Sequence, residues 1–272
     1  MPVSFHPRRS LNDTRLFLLD MDGTFYLGDA LIEGALDFIE TLRLQGRDFV
    51  FLTNNSSKNR QQYIEKITHL GLPIEEDKVY TSGEATARYL QRHHPEARLY
   101  VVGTPGLEQE LADFGFALDT KNPQLVVLGF DTTLTYQKLW KLCDFVRAGL
   151  PYIATHPDYN CPTPGGFMPD IGAIIAFVKA STGREPDIVV GKPNRIIIET
   201  LGEKLGVPLE AITMVGDRLY TDIALGQTTG ITTILVLSGE TKREDLQESP
   251  FQPDYIFENL GKLADYLKDP GI

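Results

Sequence analysis

Only two cysteines, Cys143 and Cys161, occur in 272 residues, too few for a disulfide framework in a chain of this size. Neither their spacing nor their neighbours suggest a metal or redox pair, so two thiols in a reducing cytoplasm are expected. Positive charge is also scarce: 26 Lys and Arg face 37 Asp and Glu, a net charge of -11. That deficit argues against a nucleic-acid backbone or an anionic membrane surface as partner, because both demand basic patches. A small anionic substrate remains compatible, provided the site carries its own cations. No apolar run approaches the roughly 20 residues of a membrane span. The amino-terminal MPVSFHPRRSLNDT has arginines without an apolar stretch behind them and does not read as a secretory signal. No repeat, low-complexity tract or long linker is visible.

The chain does contain enough apolar residues, 42%, for two cores, and its length exceeds the usual single domain. Strand and helix patterns alternate. LFLL (16 to 19) and DFVFL (48 to 52) read as strands. Between and after them come helical stripes of Leu36, Ile39 and Leu42, then Ile64, Ile67 and Leu70, which stop at Gly46 and Gly71. The same order returns in DIVV (187 to 190), a helix with Ile197, Leu201 and Leu205, ITMV (212 to 215), TTILVL (232 to 237), DYIF (254 to 257) and a last helix from about Asn259. Such βαβα order predicts a Rossmann-like parallel sheet with helices on its faces. A helix-start signal at Ser82 and the turn-rich STGREP (181 to 186) bracket a second alternating region with strands at LYVV, LVVLGF and PYIAT. The expected organisation is a core of residues 1–81 and 187–272 with an α/β domain, 82–186, inserted into it.

Four polar signals fall at expected strand ends: Asp20 and Asp22 after the first strand, Thr53 after the second, Lys192 after DIVV and Asp217 after ITMV. In an open parallel sheet the carboxyl ends share one edge, where such folds bind ligands. Singly, each has a plain alternative. D-x-D-G is a common Asx turn or cap, Thr53 with Asn54 and Asn55 suits helix capping, Lys192 suits a solvated lysine, and Asp217 and Asp222 suit surface turn charges. A calcium loop fails, because Phe25 stands where glycine is needed and Leu31 where glutamate is needed. Together, the four signals match a phosphate site. Clustered carboxylates with a backbone carbonyl and waters suit Mg2+, which neutralises their repulsion. Thr53, backbone N–H groups and Lys192 can then hold phosphoryl oxygens.

These residues resemble the haloacid dehalogenase superfamily of phosphohydrolases: DMDGT (20 to 24), Thr53, Lys192 and GDRLYTD (216 to 222) stand in that family's motif order. TNNSS, HPDYNCPTPGGFMPDIGA (156 to 173) and VVGKPN are similar to the large-cap NagD-like and p-nitrophenyl-phosphatase-like subfamily. The resemblance implies an aspartyl-phosphate mechanism acting on small phosphomonoesters such as sugar phosphates, nucleoside monophosphates or phosphoglycolate-like acids. Asp20 would be the nucleophile and Asp22 the acid and base, while Asp22 would also lend its backbone carbonyl to the Mg2+ held by Asp20 and Asp217. Asp222 would orient water or Lys192 from behind the metal ligands. Thr53 and Asn54 would grip the phosphoryl group and Lys192 would offset its charge. In the inserted domain His156, Asp158, Asn160 and Asp170 suit either contacts to the leaving group or hydrogen-bonded turns, and Gly165 and Gly166 suit a turn. A phosphotransferase or mutase on the same scaffold, or a receiver-like phosphoacceptor module, are the alternatives. A homodimer is implied by analogy.

Overall fold

A computed structural model describes residues 9–163 and 165–269. Residues 1–8 of the amino-terminal stretch, Pro164 of the glycine-rich segment and residues 270–272 lie outside the described residues. The chain opens with β1 (Leu16–Leu19), β2 (Tyr26–Leu27), β3 (Ala30–Leu31), α1 (Ala35–Leu44), β4 (Asp48–Thr53), α2 (Arg60–His69), β5 (Val79–Thr81) and α3 (Ser82–His93). It continues through β6 (Leu99–Val102), α4 (Pro105–Asp113), β7 (Leu125–Leu128), α5 (Tyr136–Arg147), β8 (Tyr152–Ala154), β9 (Asn160–Thr163), β10 (Gly166–Pro169) and α6 (Ile171–Thr182). Then come β11 (Ile188–Val189), α7 (Ile196–Leu205), β12 (Ile212–Gly216), α8 (Ala224–Thr229), β13 (Thr232–Val236), β14 (Tyr255–Phe257) and α9 (Leu260–Lys268). Contacts group the chain into two units, 1–52 with 66–79 and 202–272, and 53–65 with 80–201.

The first unit is built on a six-stranded sheet in the order β14-β13-β12-β1-β4-β5. β1 is parallel to both neighbours, with Leu19 level with Val215 on one side and Phe51 on the other. Its four residues are all buried, as expected of a central parallel strand covered on both faces. Helix α1 presents Phe38, Ile39 and Leu42 to this core, and the Phe38 ring meets Phe17 edge-on at 5.6 Å. Leu36, expected in the same stripe, is instead 42% exposed. The helix begins at Ala35, so positions 35, 38, 39 and 42 share its inner face and Leu36 falls outside it. α9 is capped by the Asn259 side chain, which accepts from Lys262 N–H at 3.0 Å.

The second unit has its own parallel sheet, β11-β8-β7-β6. Tyr100, Val102, Val126, Leu128, Leu142, Val146, Tyr152 and Val178 belong to its core. The two-residue β11 pairs with β8, Ile188 beside Ile153, and so the strand before Lys192 belongs to this sheet and not to the six-stranded one. The expectation that four strand ends of a single sheet carry the site is corrected accordingly. A strand this short has no periodicity of its own, so its partner is chosen by packing. The segment 156–173, where the sequence offers only turn signals, contains the antiparallel hairpin β9–β10, with Cys161 opposite Met168. No helix among the described residues is long and apolar enough to cross a membrane.

The corrected inner face of α1 has a measurable consequence. Phe38→Ala should lower the free energy of urea-induced unfolding by about 3–5 kcal/mol, whereas Leu36→Ala should stay within about 0.5 kcal/mol of the parent. Equal losses would overturn the assigned face.

Candidate active site

The parallel register explains why acidic side chains converge. β1 and β12 are adjacent and level, so the residues just past their ends emerge side by side, and Asp20 N–H donates to Val215 O at 2.9 Å. Asp217 follows β12 directly. Residues 219–223 form a π-helical turn, a wide turn frequent at functional sites, which brings Asp222 back toward the strand end. Its Oδ2 accepts from Arg218 N–H at 3.1 Å. One carboxylate oxygen each from Asp20, Asp217 and Asp222 lies within 4.8 Å of the others, and all three residues are buried. Asp222, expected to stand behind the metal ligands, offers an oxygen within 4.8 Å of one on each of Asp20 and Asp217.

Asp217 is held from two further sides. Thr24 Oγ1 donates to its Oδ1 at 3.1 Å and Glu240 N–H to its Oδ2 at 2.7 Å. Gly23 makes the turn after Asp22 at φ 89° and accepts from Ser238 Oγ at 2.9 Å. Glycine is needed at 216 and 239 for close approach: a Cβ on Gly216 would strike the Asp222 carboxylate, and one on Gly239 would strike that of Asp217. The backbone is therefore drawn in around the acidic groups.

Burial, then the charges of Asp20 and Asp222, push the Asp217 carboxyl above the usual range. Asp22, half-buried, is raised chiefly by burial; Lys66 opposes this, Asp20 reinforces it, and the hydrogen bond from Tyr26 opposes it. Tyr26 Oη donates to Asp22 Oδ2 at 3.3 Å, and Lys66 Nζ stands 3.8 Å from the Tyr26 ring centroid. Tyr26 and Lys66 had no place in the sequence reading. Tyr26 is four residues beyond Asp22, inside the first motif's turn, but Lys66 is brought in by α2 and leaves no local signal. The donor set fits a divalent cation: three buried carboxylates each offer a hard oxygen ligand within 4.8 Å of the other two.

The second unit assembles a different cluster. Thr53 ends β4 and its Oγ1 accepts from Asn55 N–H at 3.1 Å. Asn54 is bound to the main chain of Lys192: Lys192 N–H donates to Asn54 Oδ1 at 2.8 Å, and Asn54 Nδ2 donates to Lys192 O at 2.9 Å. The same Nδ2 donates to Asp158 Oδ1 at 3.0 Å. Lys192 is 2% exposed, far from the solvated lysine that its sequence context alone would favour. Of the remaining residues of the inserted region, Asp170 Oδ1 lies 3.0 Å from His156 Nε2 and accepts from Ile171 N–H at 2.6 Å, capping α6. His156 Nδ1 lies 3.0 Å from Thr155 Oγ1. Asn160 is exposed at the start of β9. The structure thus brings Asp20, Asp217 and Asp222 together, and separately Asn54, Asp158 and Lys192. Asp170 is committed to helix and histidine.

Residues 17–117 match the family model of haloacid dehalogenase-like hydrolases, and residues 189–263 match a HAD-hydrolase-like model. The chain is 35% identical over 251 residues to 5'-nucleotidase YutF of Bacillus subtilis, covering 92% of this chain and 98% of that one. It is 38% identical over 245 residues to an acid sugar phosphatase of Staphylococcus epidermidis, covering 90% and 94%. Among solved structures, 4-nitrophenylphosphatase from Thermotoga maritima superposes with a TM-score of 0.93 at 50% identity, covering 94% of this chain and 98% of that one.

The acidic cluster sets a sign for pH. A carboxyl raised in the fold contributes stability at low pH that is lost as pH climbs above the ordinary 3.8 of Asp217. A divalent cation competes with protons for these oxygens. Mg2+ at about a hundredfold excess over its Kd should add about 2.7 kcal/mol, and at one fixed concentration its thermal shift should be larger near pH 8 than near pH 5. Asp217→Asn should flatten that difference. A shift equal at both pH values would remove the cluster as the binding place.

Proposed function

The chain belongs to the haloacid dehalogenase-like hydrolases, and on that premise we propose that it is a Mg2+-dependent phosphatase of small phosphomonoesters. The observation that carries the reading is the convergence of Asp20, Asp217 and Asp222 on one point, with Asp22 on the same turn and raised in proton affinity. Mg2+ would be held by the carboxylates of Asp20 and Asp217 and the backbone carbonyl of Asp22, with Asp222 close enough to join or orient them. When bound, the cation supplies positive charge to the anionic cluster and the phosphoryl oxygens.

Asp20 attacks phosphorus through one carboxylate oxygen. The bond to the ester oxygen breaks, and Asp22 delivers its proton to that leaving oxygen. A carboxylate nucleophile needs no base to activate it, whereas the acid must hold a proton near neutral pH, and the burial of Asp22 favours that. Asp22, now ionised, takes a proton from water as the water attacks the aspartyl-phosphate, which releases inorganic phosphate and restores Asp20. Tyr26 Oη holds the Asp22 carboxyl in place between the two transfers. Thr53 is assigned to the phosphoryl oxygens and Lys192 to their developing charge. The inserted region from residue 82, with hairpin β9–β10, is assigned the choice among sugar phosphates, nucleoside monophosphates and phosphoglycolate-like acids. The names of the nucleotidase, sugar phosphatase and nitrophenylphosphatase relatives support this breadth. A homodimer through the inserted region is supported by the exposure of Tyr136 and Trp140 on α5.

Release of phosphate from p-nitrophenyl phosphate with Mg2+ tests the assignment. Asp20→Asn should lose on the order of a thousandfold or more in kcat. Asp22→Asn should lose roughly 10²–10⁴-fold while keeping the thermal shift with Mg2+, because its metal contact is backbone. Full activity in Asp20→Asn would remove it as the nucleophile.

A further inference from the structure

Asn54 is expected among the phosphate ligands and Asp158 either at the leaving group or in a hydrogen-bonded turn, and the two side chains meet at 3.0 Å. A primary amide has two N–H donors and one carbonyl acceptor. In Asn54 the carbonyl takes Lys192 N–H at 2.8 Å, while Nδ2 serves Lys192 O at 2.9 Å and Asp158 Oδ1 at 3.0 Å. The amide thus clasps both polar main-chain groups of Lys192 across 138 positions of sequence. We propose that Asp158 is a positioning residue which acts on Lys192 through Asn54, and that Asn54 serves the reaction by holding Lys192 rather than by gripping phosphate with its side chain. The proposal rests on the phosphatase reading, in which Lys192 offsets phosphoryl charge.

Three observations support it. The clasp works in only one orientation of the amide, because Lys192 presents a donor to one end and an acceptor to the other. Asp158, an acceptor-only carboxylate, favours that orientation: the flipped amide would set Oδ1 against a carboxylate oxygen. A charged acceptor also strengthens the bond to Nδ2 and polarises the amide toward Lys192. Second, room for the clasp is made by Gly191, where a Cβ would come within 2.6 Å of Asn54 Oδ1 and 2.7 Å of Thr155 O. Third, Asp158 stands on a rigid base. It is 5% exposed, its carbonyl accepts from Gly172 N–H at 2.8 Å, and Tyr159 O accepts from Asp170 N–H at 2.9 Å, which ties it to the start of α6. A lysine fixed at N–H and C=O loses the backbone freedom that would let its long side chain wander.

The test is a double-mutant cycle on Asp158 and Asn54, read with p-nitrophenyl phosphate, glucose 6-phosphate and AMP. Asp158→Ala should lower kcat on the order of tenfold or more, by the same factor for each ester and with KM little changed. Asp158→Asn keeps an acceptor oxygen and should recover most of the loss. In an Asn54→Ala background Asp158→Ala should cost nothing further. A change in the ranking of the three esters, a full additional loss on Asn54→Ala, or no recovery in Asp158→Asn would overturn the proposal. If Asp158→Ala does not fold, Asp158→Asn enters the cycle in its place, with a smaller uniform loss expected on wild type and none on Asn54→Ala.

A second readout needs no turnover: exchange of the Lys192 amide hydrogen should be faster than wild type in Asp158→Ala and in Asn54→Ala, and no faster in the double variant than in Asn54→Ala. Unchanged exchange in Asp158→Ala would overturn the proposal. A wild-type protein that releases phosphate from none of the esters would instead sink the phosphatase reading, with Lys192 exchange still deciding this one.

Discussion

Three carboxylates that share a buried point repel one another, and most of the architecture of the first unit answers that repulsion. At an effective dielectric near 20, two unit charges 4.8 Å apart cost about 3.5 kcal/mol. Three such pairs approach the whole net stability of a domain, about 5–15 kcal/mol. A cation bound among Asp20, Asp217 and Asp222 would offset that repulsion. Thr24 Oγ1 and Glu240 N–H, which both donate to Asp217, relieve part of the cost. The glycines at 216 and 239 let the backbone close around the carboxylates where any side chain would push them apart. On the neighbouring turn the Asp20 charge adds to burial in raising the proton affinity of Asp22.

The second unit treats its buried charge differently. Lys192 is fixed by its main chain, through a side-chain amide that an aspartate orients. In the sequence Asp158 and Asp170 suit either leaving-group contacts or hydrogen-bonded turns. One is turned toward Asn54 and the other toward His156 and the first amide of α6. Each buried carboxylate has a hydrogen-bond partner within the protein, as buried polar groups generally do.

Much was readable in the residues themselves. The apolar run 16–19, the helix starts at Ser82 and near Asn259, and the acid pair after β1 are local features. Strand type, helix starts and the chemistry of D-x-D-G follow from patterns a few residues long. The strands at 99–102, 125–128 and 152–154 were legible for the same reason. The inner face of α1 was misjudged at Leu36 because the stripe was counted from the wrong first residue. The hairpin at 160–169 was missed because its strands are only four residues long and each carries a proline, so alternation is too short to show.

Sequence alone determined the kind of chemistry: hard oxygen ligands, a buried-looking strand ending in two aspartates, a hydroxyl and a lysine, each with a functional group that no fold could change. Tertiary structure decided which groups meet. Asp222 joins Asp20 and Asp217 because β1 and β12 run level and a π-helical turn folds back on them. β11 sides with β8, and Asn54 turns its amide to Lys192, because a two-residue strand and a four-way hydrogen-bonding side chain carry no partner preference of their own. Long-range packing supplies that preference. Residue type sets what a group can do, and only the positions of distant backbone segments set what it does it to.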